Sequence, residues 1–391
     1  MHPAFPRRRL SLAALAAAAV LTGCASNNNV EAEAEAARLA AAAEAAARLP
    51  PPITLNDSVA QAASVYVAFT RDMAAIEGGF ADPEAVQAAL RRGSAYNPEQ
   101  LSRGLVAYAS ILALQSPEFV AGVRQYAAHQ ATREKLVADI VADPRRASYL
   151  PGAEAGAGLI IATLRDDIDA LGRAADAVEN DAYAVQASYD ARRSWGVAHV
   201  ADREGRLAAV KARSTEVMTP SAADAAGLFA AAHSGTGLPV SGGPRRPPYP
   251  PAVENALALA ALAALGAAGD NARANTDALQ NEPTGQRCLN MSKLNLFQCL
   301  AASRPSYEDM FCVGRHIVRD LATCTRGAAM PAAVVTVSDL VPVGPPIAAA
   351  PPPIVISPAP PPPAQAPAPA ARPGIDVSPT VRLNTGAPGP D

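Results

Sequence analysis

Between residues 161 and 189, apolar side chains recur at alternating spacings of three and four, which is the pattern of a long amphipathic helix. The positions that share this spacing are Ile161, Leu164, Ile168, Leu171, Ala175, Val178, Ala182, Val185 and Tyr189. A seam of this kind occurs in coiled-coil dimers and in the central helices of globular bundles. Because alanines interrupt it and its polar face lacks dense paired charges, we expect it to pack within its own bundle; a dimerisation coil is the alternative.

Three short sequences upstream of the seam place a capping residue, a proline and a glutamate in succession. They are Asp82-Pro83-Glu84, Asn97-Pro98-Glu99 and Ser116-Pro117-Glu118. Asp, Asn and Ser favour the N-cap, proline favours the first helical position, and an acid is stabilised near the positive end of a helix. With the glycines between them, these signals predict helices over residues 57–76, 83–92, 98–115, 117–129 and 132–142.

Apolar periodicity also predicts helices in the C-terminal half. They are expected near residues 203–217, over 253–268, and as a pair over 291–302 and 307–324 that a tight turn at Pro305-Ser306 joins. Ser306 and Asp309 have the spacing of a capping box, which would start the second helix of that pair. The sequence therefore predicts an all-α fold, a multi-helix bundle that ends in a helical hairpin.

Three segments have a composition too biased for a packed core. Residues 31–49, EAEAEAARLAAAAEAAARL, favour helix strongly but contain few large apolar residues, so we interpret them as a helical spacer of roughly 28 Å at 1.5 Å per residue. Glycine and proline dominate residues 235–252, which we interpret as a linker. Residues 331–391 form a proline-rich tail, here called the Pro-rich tail, which we expect to be disordered.

Composition narrows the classes of partner and the kind of core. The formal net charge is −3 and no basic stripe occurs, so nucleic acid is not an expected partner. Hydrophobic residues make up 50% of the chain, but aromatic residues only 4%. Because alanine supplies much of that apolar content and buries little surface, we expect a core of closely packed helices that would benefit from covalent links.

The N-terminus has the pattern of an export signal. Arg7, Arg8 and Arg9 precede a short apolar stretch, Leu10–Val20, which is too short to span a bilayer as a stable helix. Leu21-Thr22-Gly23-Cys24 follows and resembles the lipobox of bacterial lipoproteins. The resemblance implies that residues 1–23 are removed and that Cys24 becomes the lipidated first residue; an ordinary cleaved signal with a chance cysteine is the alternative.

The same resemblance carries an expectation about location. In that family an aspartate after the lipidated cysteine often retains the protein at the inner membrane, whereas Ala25 and Ser26 follow Cys24 here. The resemblance therefore implies an anchor in the outer membrane, with the mature chain on the periplasmic side. Acyl chains bind a protein firmly to a bilayer because each buried methylene contributes about 0.8 kcal/mol.

The other four cysteines lie close together, at Cys288, Cys299, Cys312 and Cys324. In an antiparallel hairpin, residues equidistant from the turn face each other, which favours the nested disulfides Cys288–Cys324 and Cys299–Cys312. Pairs within one helix are too far apart to bridge, so the crossed pairing of 288 with 312 and 299 with 324 is the remaining alternative. The arrangement resembles the hairpins of the coiled-coil–helix–coiled-coil–helix proteins, which use nested bridges.

Other residue groups suggest chemistry only weakly. His316 follows Cys312 at a spacing that suits two zinc ligands, but four cysteines in an oxidising compartment normally pair, so we expect no metal site. The carboxylates at Asp166, Asp167 and Asp169 have the pattern of a solvated helix face. The sequence contains no catalytic or cofactor-binding motif of the common hydrolases, metalloproteases, nucleotide-binding proteins or dehydrogenases, so no catalytic residue and no cofactor is predicted.

Two further groups are candidates for a site. Glu77, before Gly78-Gly79, could act as the acid of a cell-wall hydrolase, although a glutamate at a helix end is common. The aromatic residues Tyr183, Tyr189 and Trp195 could line a pocket, whereas a lone tryptophan more often closes a small-residue core.

We therefore expect a membrane-anchored lipoprotein of the cell envelope that binds or scaffolds another component and is not an enzyme. The alternative is a periplasmic cell-wall hydrolase or another envelope enzyme. The expected partners of the lipoprotein are the membrane, through the lipid anchor, and an envelope protein or peptidoglycan, through the Pro-rich tail.

The predicted segments are the signal peptide (1–23), anchor and spacer (24–52), helical body (53–234), linker (235–252), C-terminal helices with the four-cysteine hairpin (253–330) and Pro-rich tail (331–391).

Overall fold

The computed structural model describes residues 32–41 and 50–332. The predicted signal peptide, Cys24 and residues 333–391 of the Pro-rich tail lie outside the described residues. Within the predicted spacer, residues 32–41 form a helix, α1, whose side chains are all exposed. This agrees with a segment that has too few large apolar residues to form a packed face.

The fold is all-α, as the sequence predicts. The α-helices after α1 are α2 (Asp57–Ala74), α3 (Pro83–Ser94), α4 (Pro98–Leu114), α5 (Pro117–Arg124), α6 (Gln130–Ala142), α7 (Ala153–Ala187), α8 (Ser194–Val197), α9 (Arg203–Arg213), α10 (Ala222–Ser234), α11 (Pro251–Ala264), α12 (Arg273–Leu279), α13 (Pro283–Ala302), α14 (Ser306–Val313) and α15 (Asp320–Ala329). A π-helical turn, Gly314–Arg319, joins α14 to α15. Within residues 32–41 and 50–332 no strand occurs, and the extended contacts are two isolated bridges, Leu55 with Ala268 and His199 with Pro305.

The three proline-containing helix starts form as expected. The Asp82 carboxylate accepts a hydrogen bond from the Ala85 N–H at 2.8 Å, and the Ser116 hydroxyl accepts one from the Phe119 N–H at 3.2 Å. The Asn97 side-chain oxygen accepts from two backbone N–H groups at the start of α4. Each cap satisfies N–H groups that have no partner inside the helix, which explains why α3, α4 and α5 begin at their prolines.

The seam of α7 is buried inside the protein. Ile161 and Leu164 contribute to one part of the core, Ile168, Leu171, Ala175 and Val178 to a second, and Ala182 and Val185 to a third. The helix packs against α14, the π-turn and α15 on one side and against α4 and α2 on another. Since its own bundle covers the seam, the packing favours the intramolecular interpretation over a dimerisation coil. Tyr189 lies beyond the helix end and is 77% exposed.

Helices α2, α4 and α11 form the most closely packed part of the core. A side chain at Gly104 in α4 would come within 2.5 Å of the Ala62 carbonyl oxygen in α2, so these helices approach almost to backbone contact. Helix α11 is buried along most of its length and consists largely of alanine and leucine. Small side chains thus allow short distances between helices, which compensates for the small surface that each alanine buries.

Residues 50–332 belong to one compact unit that contains both the predicted body and the C-terminal helices. The predicted linker, 235–252, runs along α7: the Arg245 N–H donates to the Glu154 carbonyl at 2.8 Å, and Tyr249 is buried. A side chain at Gly158 would come within 2.2 Å of the Gly243 carbonyl oxygen. The linker therefore connects α10 and α11, which both pack against α4, and is itself held against α7.

Some helix bounds differ from the expected ones. Helix α5 ends at Arg124 instead of residue 129, because the next N–H groups bond to carbonyls three residues back, as in a tight turn. Helices α10 and α12 were not expected from the apolar pattern. Within the part of the chain that the structure describes, no single helix is long and apolar enough to cross a membrane; α4 and α5, bent by 84°, meet the length and composition criteria only as a pair.

Candidate functional site

Two disulfides fasten α13 to α14 and α15. Cys288 is joined to Cys324 with their Cα atoms 5.4 Å apart, and Cys299 is joined to Cys312 with their Cα atoms 5.8 Å apart. These are the nested pairs that the spacing favours, and the crossed alternative does not occur. Cys312 and Cys324 are buried, so the bridges belong to the core of the hairpin.

The π-turn explains how the two bridges align. Eleven residue steps separate Cys288 from Cys299 on α13. Twelve separate Cys312 from Cys324 on the second helical arm of the hairpin, which consists of α14, the π-turn and α15. A π-helical turn accommodates the additional residue in an otherwise helical segment. The Ser292 hydroxyl donates to the His316 carbonyl inside this turn at 2.9 Å, which supplies a partner for a backbone group in the distorted region.

A buried charge pair holds the turn of the hairpin against the body. The Arg206 guanidinium of α9 pairs with the Asp309 carboxylate and also donates to the Leu300 carbonyl at the end of α13. Gln87 and Ser303 donate to the same carboxylate at 2.9 and 2.7 Å. The predicted capping box is therefore wrong: Pro305 precedes α14 without a side-chain cap, because the Asp309 carboxylate is directed into the body.

The candidate metal ligands do not come together. Cys312 is in a disulfide, and the His316 ring lies 3.3 Å from the Asp320 carboxylate on the same helical segment. Within residues 32–41 and 50–332, no group of three or more His, Cys, Asp or Glu side chains has the arrangement of a metal site.

The other candidate residues are also dispersed. Glu77 is exposed at the end of the α2 segment. Tyr183 is 51% exposed and packs on Phe311 with ring centroids 5.8 Å apart, while the Arg193 guanidinium lies 5.7 Å from the centre of the Trp195 ring. These aromatic residues do not line a common pocket.

A cleft between α2, α4 and α7 has the features of a binding site that the sequence did not reveal. Its volume is about 370 Å³, within the range of small-molecule sites. The polar residues that line it are Thr70 and Arg71 of α2, Tyr108 of α4 and Asp167 of α7. Val67, Ala74, Ala75 and Ala170 supply its apolar wall.

The electrostatics of this cleft are dominated by Asp167. The pKa of the Asp167 carboxyl is raised to about 6, mainly by burial and also by the neighbouring Asp166, while Arg71 opposes the shift. Asp166 and Asp169 are exposed, as expected for a solvated helix face, but the expectation fails for Asp167 because α2 and α4 partly cover it. Burial also raises the pKa of the Tyr108 hydroxyl, and the Asp167 charge adds to that effect.

The Arg71 guanidinium in the cleft is directed partly away from Asp167. It lies 3.3 Å from the Asp224 carboxylate of α10, and its side chain is 67% exposed. Asp167 is thus left as a partly buried acceptor, and the cleft can accept hydrogen bonds and positive charge from a bound molecule.

A different groove lies between α6 and the turn after α11, with a volume of about 600 Å³. Its wall includes Val137, Val141 and Leu265. The charged residues Arg133 and Glu134, which are adjacent in sequence, also line it. This groove is wider but offers no buried polar group to orient a ligand. The cleft between α2, α4 and α7 is therefore the stronger candidate for a specific site.

Comparison of the chain with family models, with curated proteins and with solved structures finds no match.

Proposed function

We propose that the protein is a lipid-anchored component of the bacterial outer membrane that faces the periplasm and acts by binding or scaffolding another envelope component. In this proposal Cys24 carries the lipid, residues 31–49 hold the body away from the bilayer, and the folded unit presents its surface to partners. An envelope protein or peptidoglycan, reached through the Pro-rich tail, is the proposed partner.

The observation that carries this proposal is the pair of disulfides in the hairpin. Disulfides form and persist in oxidising compartments such as the periplasm and are rare in the cytosol. Here two bridges with suitable Cα separations lie in the core of one hairpin. The export signal and lipobox at the N-terminus point to the same compartment, although they share no residues with the hairpin.

The helix α1 supports the role of a spacer. Its residues, 32–41, are helical and exposed on every face, so they provide length without requiring a partner surface. Such a segment behaves as a semi-rigid spacer when it is helical.

Replacement of the lipid-bearing residue tests the anchor. The Cys24→Ala variant is expected to lose palmitate labelling and to leave the membrane fraction, while the wild-type chain remains with the outer membrane. The Ser26→Ala variant is a matched control, since it changes a neighbouring residue and should keep both the label and the location. Labelling that survives in Cys24→Ala would contradict the anchor.

A substitution beside the anchor tests the membrane to which the chain is delivered. In Ala25→Asp the carboxylate follows the lipidated cysteine, so the lipid should remain but the protein should shift to the inner-membrane fraction on a density gradient. Ala25→Ser should stay in the outer membrane. An Ala25→Asp protein that distributes as the wild type does would contradict the proposed sorting.

The scaffolding role is tested by crosslinking in whole cells with the full chain and with a chain that ends at residue 330. Loss of a defined crosslinked species on truncation would place the partner contact in the Pro-rich tail, whereas an unchanged species would contradict that assignment.

An envelope enzyme, such as a cell-wall hydrolase, is a second candidate because of the raised pKa of Asp167 in the cleft. A carboxyl group that titrates near 6 can act as a general acid. Release of soluble fragments from purified cell walls by the wild type, but not by Asp167→Asn, would favour this enzyme over the binding function. No release by either protein would favour binding.

A further inference from the structure

The cleft between α2, α4 and α7 contains oxygen atoms that have no partner in the protein. Thr70 lines the cleft, but it is only 5% exposed and its hydroxyl oxygen is covered by protein, so that oxygen is not open to a bound molecule. The Asp167 carboxylate and the Tyr108 hydroxyl line the same cleft, and neither has a hydrogen-bond partner within residues 32–41 and 50–332. Helices α4 and α7 thus each contribute one oxygen-bearing group that is open to the cleft.

Unpaired groups of this kind are costly unless a ligand satisfies them. A buried polar group without a hydrogen bond destabilises a protein, and a partly buried charge costs more when it has no counter-charge. Burial is the largest cause of the raised pKa of Asp167, as expected for a carboxylate that has lost part of its hydration. A partly buried carboxylate and a hydroxyl that face one cleft can both accept hydrogen bonds from a bound donor.

We infer that this cleft binds a small organic primary amine in its ammonium form, with N–H groups directed at Asp167 and Tyr108. An ammonium group has three N–H donors and no acceptor, which suits the Asp167 carboxylate and the Tyr108 hydroxyl as acceptors and leaves the third N–H for water. The apolar wall of Val67 and the alanines of α2 and α7 would contact the carbon chain that carries the amine.

The surrounding charges favour an ammonium over an anion. Asp166 lies beside Asp167 and adds negative potential, and Arg71 forms an ion pair with Asp224. Arg71 is the basic residue that lines the cleft, and it is mostly exposed. A divalent cation fits the cleft poorly, because calcium and magnesium require several oxygen ligands of which more than one is usually a carboxylate.

This inference concerns the folded unit alone and does not depend on the lipid anchor or on the partner of the Pro-rich tail. It can therefore be tested on the mature chain with Cys24→Ala, which is purified without lipid. Failure of amine binding would leave the proposed location and scaffolding role unaffected, and failure of the anchor experiments would leave the amine site unaffected.

Three small probes separate charge from hydrogen bonding. Binding of n-butylammonium, tetramethylammonium and butyrate is measured by titration with detection by protein NMR chemical shifts at neutral pH. We expect n-butylammonium to shift the resonances of cleft residues such as Thr70 and to saturate, tetramethylammonium to bind at least tenfold more weakly because it has no N–H donors, and butyrate to cause no saturable shift. Equal binding of the two cations, or no saturation by n-butylammonium, would overturn the inference.

Variants of adjacent carboxylates provide the matched control. Asp167→Asn should weaken n-butylammonium binding at least tenfold, whereas Asp166→Asn, which changes an exposed carboxylate one position away, should change it less than threefold. Tyr108→Phe keeps the aromatic ring but removes the hydroxyl, and should weaken binding severalfold. Circular dichroism confirms that each variant is folded. Equal losses in the two aspartate variants would indicate non-specific attraction to the helix surface and would overturn the inference.

Discussion

Removing the outer disulfide, Cys288–Cys324, by a double substitution to alanine should cost more stability than removing the inner one, Cys299–Cys312. The outer bridge closes a loop of 36 residue steps and the inner bridge a loop of 13. Taken alone, loop closure in the unfolded chain makes these bridges worth about 3.8 and about 2.9 kcal/mol at 25 °C.

The nested arrangement changes both values. When the inner bridge is intact, the outer bridge closes a shorter path of about 24 steps, so its loss should cost about 3.4 kcal/mol. The same bookkeeping gives about 2.5 kcal/mol for loss of the inner bridge when the outer bridge is intact. The outer bridge is thus worth about 1 kcal/mol more than the inner one, and effects of the substituted side chains largely cancel because both variants replace the same number of sulfur atoms by the same residue.

The assay is urea unfolding of the oxidised proteins, followed by circular dichroism at 222 nm. The free energy of unfolding is obtained from the midpoint and the slope of each curve. Peptide mapping without reduction first verifies that the wild type contains the 288–324 and 299–312 pairs and that each variant retains its remaining bridge. A loss below about 1 kcal/mol for the outer variant, or a larger loss for the inner variant, would refute the loop-closure reasoning.

Three other predictions use the same unfolding assay. Arg206→Met should destabilise the protein by about 3–5 kcal/mol, because it leaves the buried Asp309 carboxylate without its counter-charge; a loss below about 1 kcal/mol would contradict a buried pair. Gly158→Ala should destabilise by about 1–3 kcal/mol, because its methyl group would meet the Gly243 backbone, whereas Gly172→Ala in open space on the same helix should stabilise by about 0.5–1 kcal/mol. The folded pKa of Asp167 lies above its unfolded value, so its contribution to stability is lost as pH rises from about 4 to about 6. Asp167→Asn should therefore be more stable than the wild type at pH 7.5 but not at pH 4, and equal differences at both pH values would contradict the burial of this carboxyl.

The features that the sequence predicted well depend on neighbouring residues. The proline-containing starts of α3, α4 and α5 contain the cap, the proline and the acid within three positions, so no distant contact is needed to form them. The α7 seam is long enough for its period to be read directly from the chain.

Helix α10 shows where the apolar pattern was insufficient. It is so rich in alanine that it has little apolar periodicity, although the Ser221 side chain accepts a hydrogen bond from the Asp224 N–H at its start. That capping signal, serine followed by an acid three positions later, is visible in the sequence and would have located the helix.

The cleft depends on contacts between distant parts of the chain. Asp166, Asp167 and Asp169 are equivalent in sequence terms, and only the packing of α2 and α4 against α7 distinguishes the middle one. Thr70 and Tyr108 lie far from Asp167 along the chain, and neither belongs to a recognisable motif. The π-turn is similar, because its role becomes clear only when the spacing of the cysteines on the two sides of the hairpin is compared.

Mass spectrometry of the mature N-terminus tests the central claim, a lipid-anchored envelope protein, most directly. Protein isolated from the native membrane and digested with trypsin should yield an N-terminal peptide that begins at Cys24 and ends at Arg38. The account predicts that this peptide carries the mass of a diacylglyceryl group and an N-linked acyl chain. A peptide that begins before residue 24, or one that contains an unmodified Cys24, would contradict it.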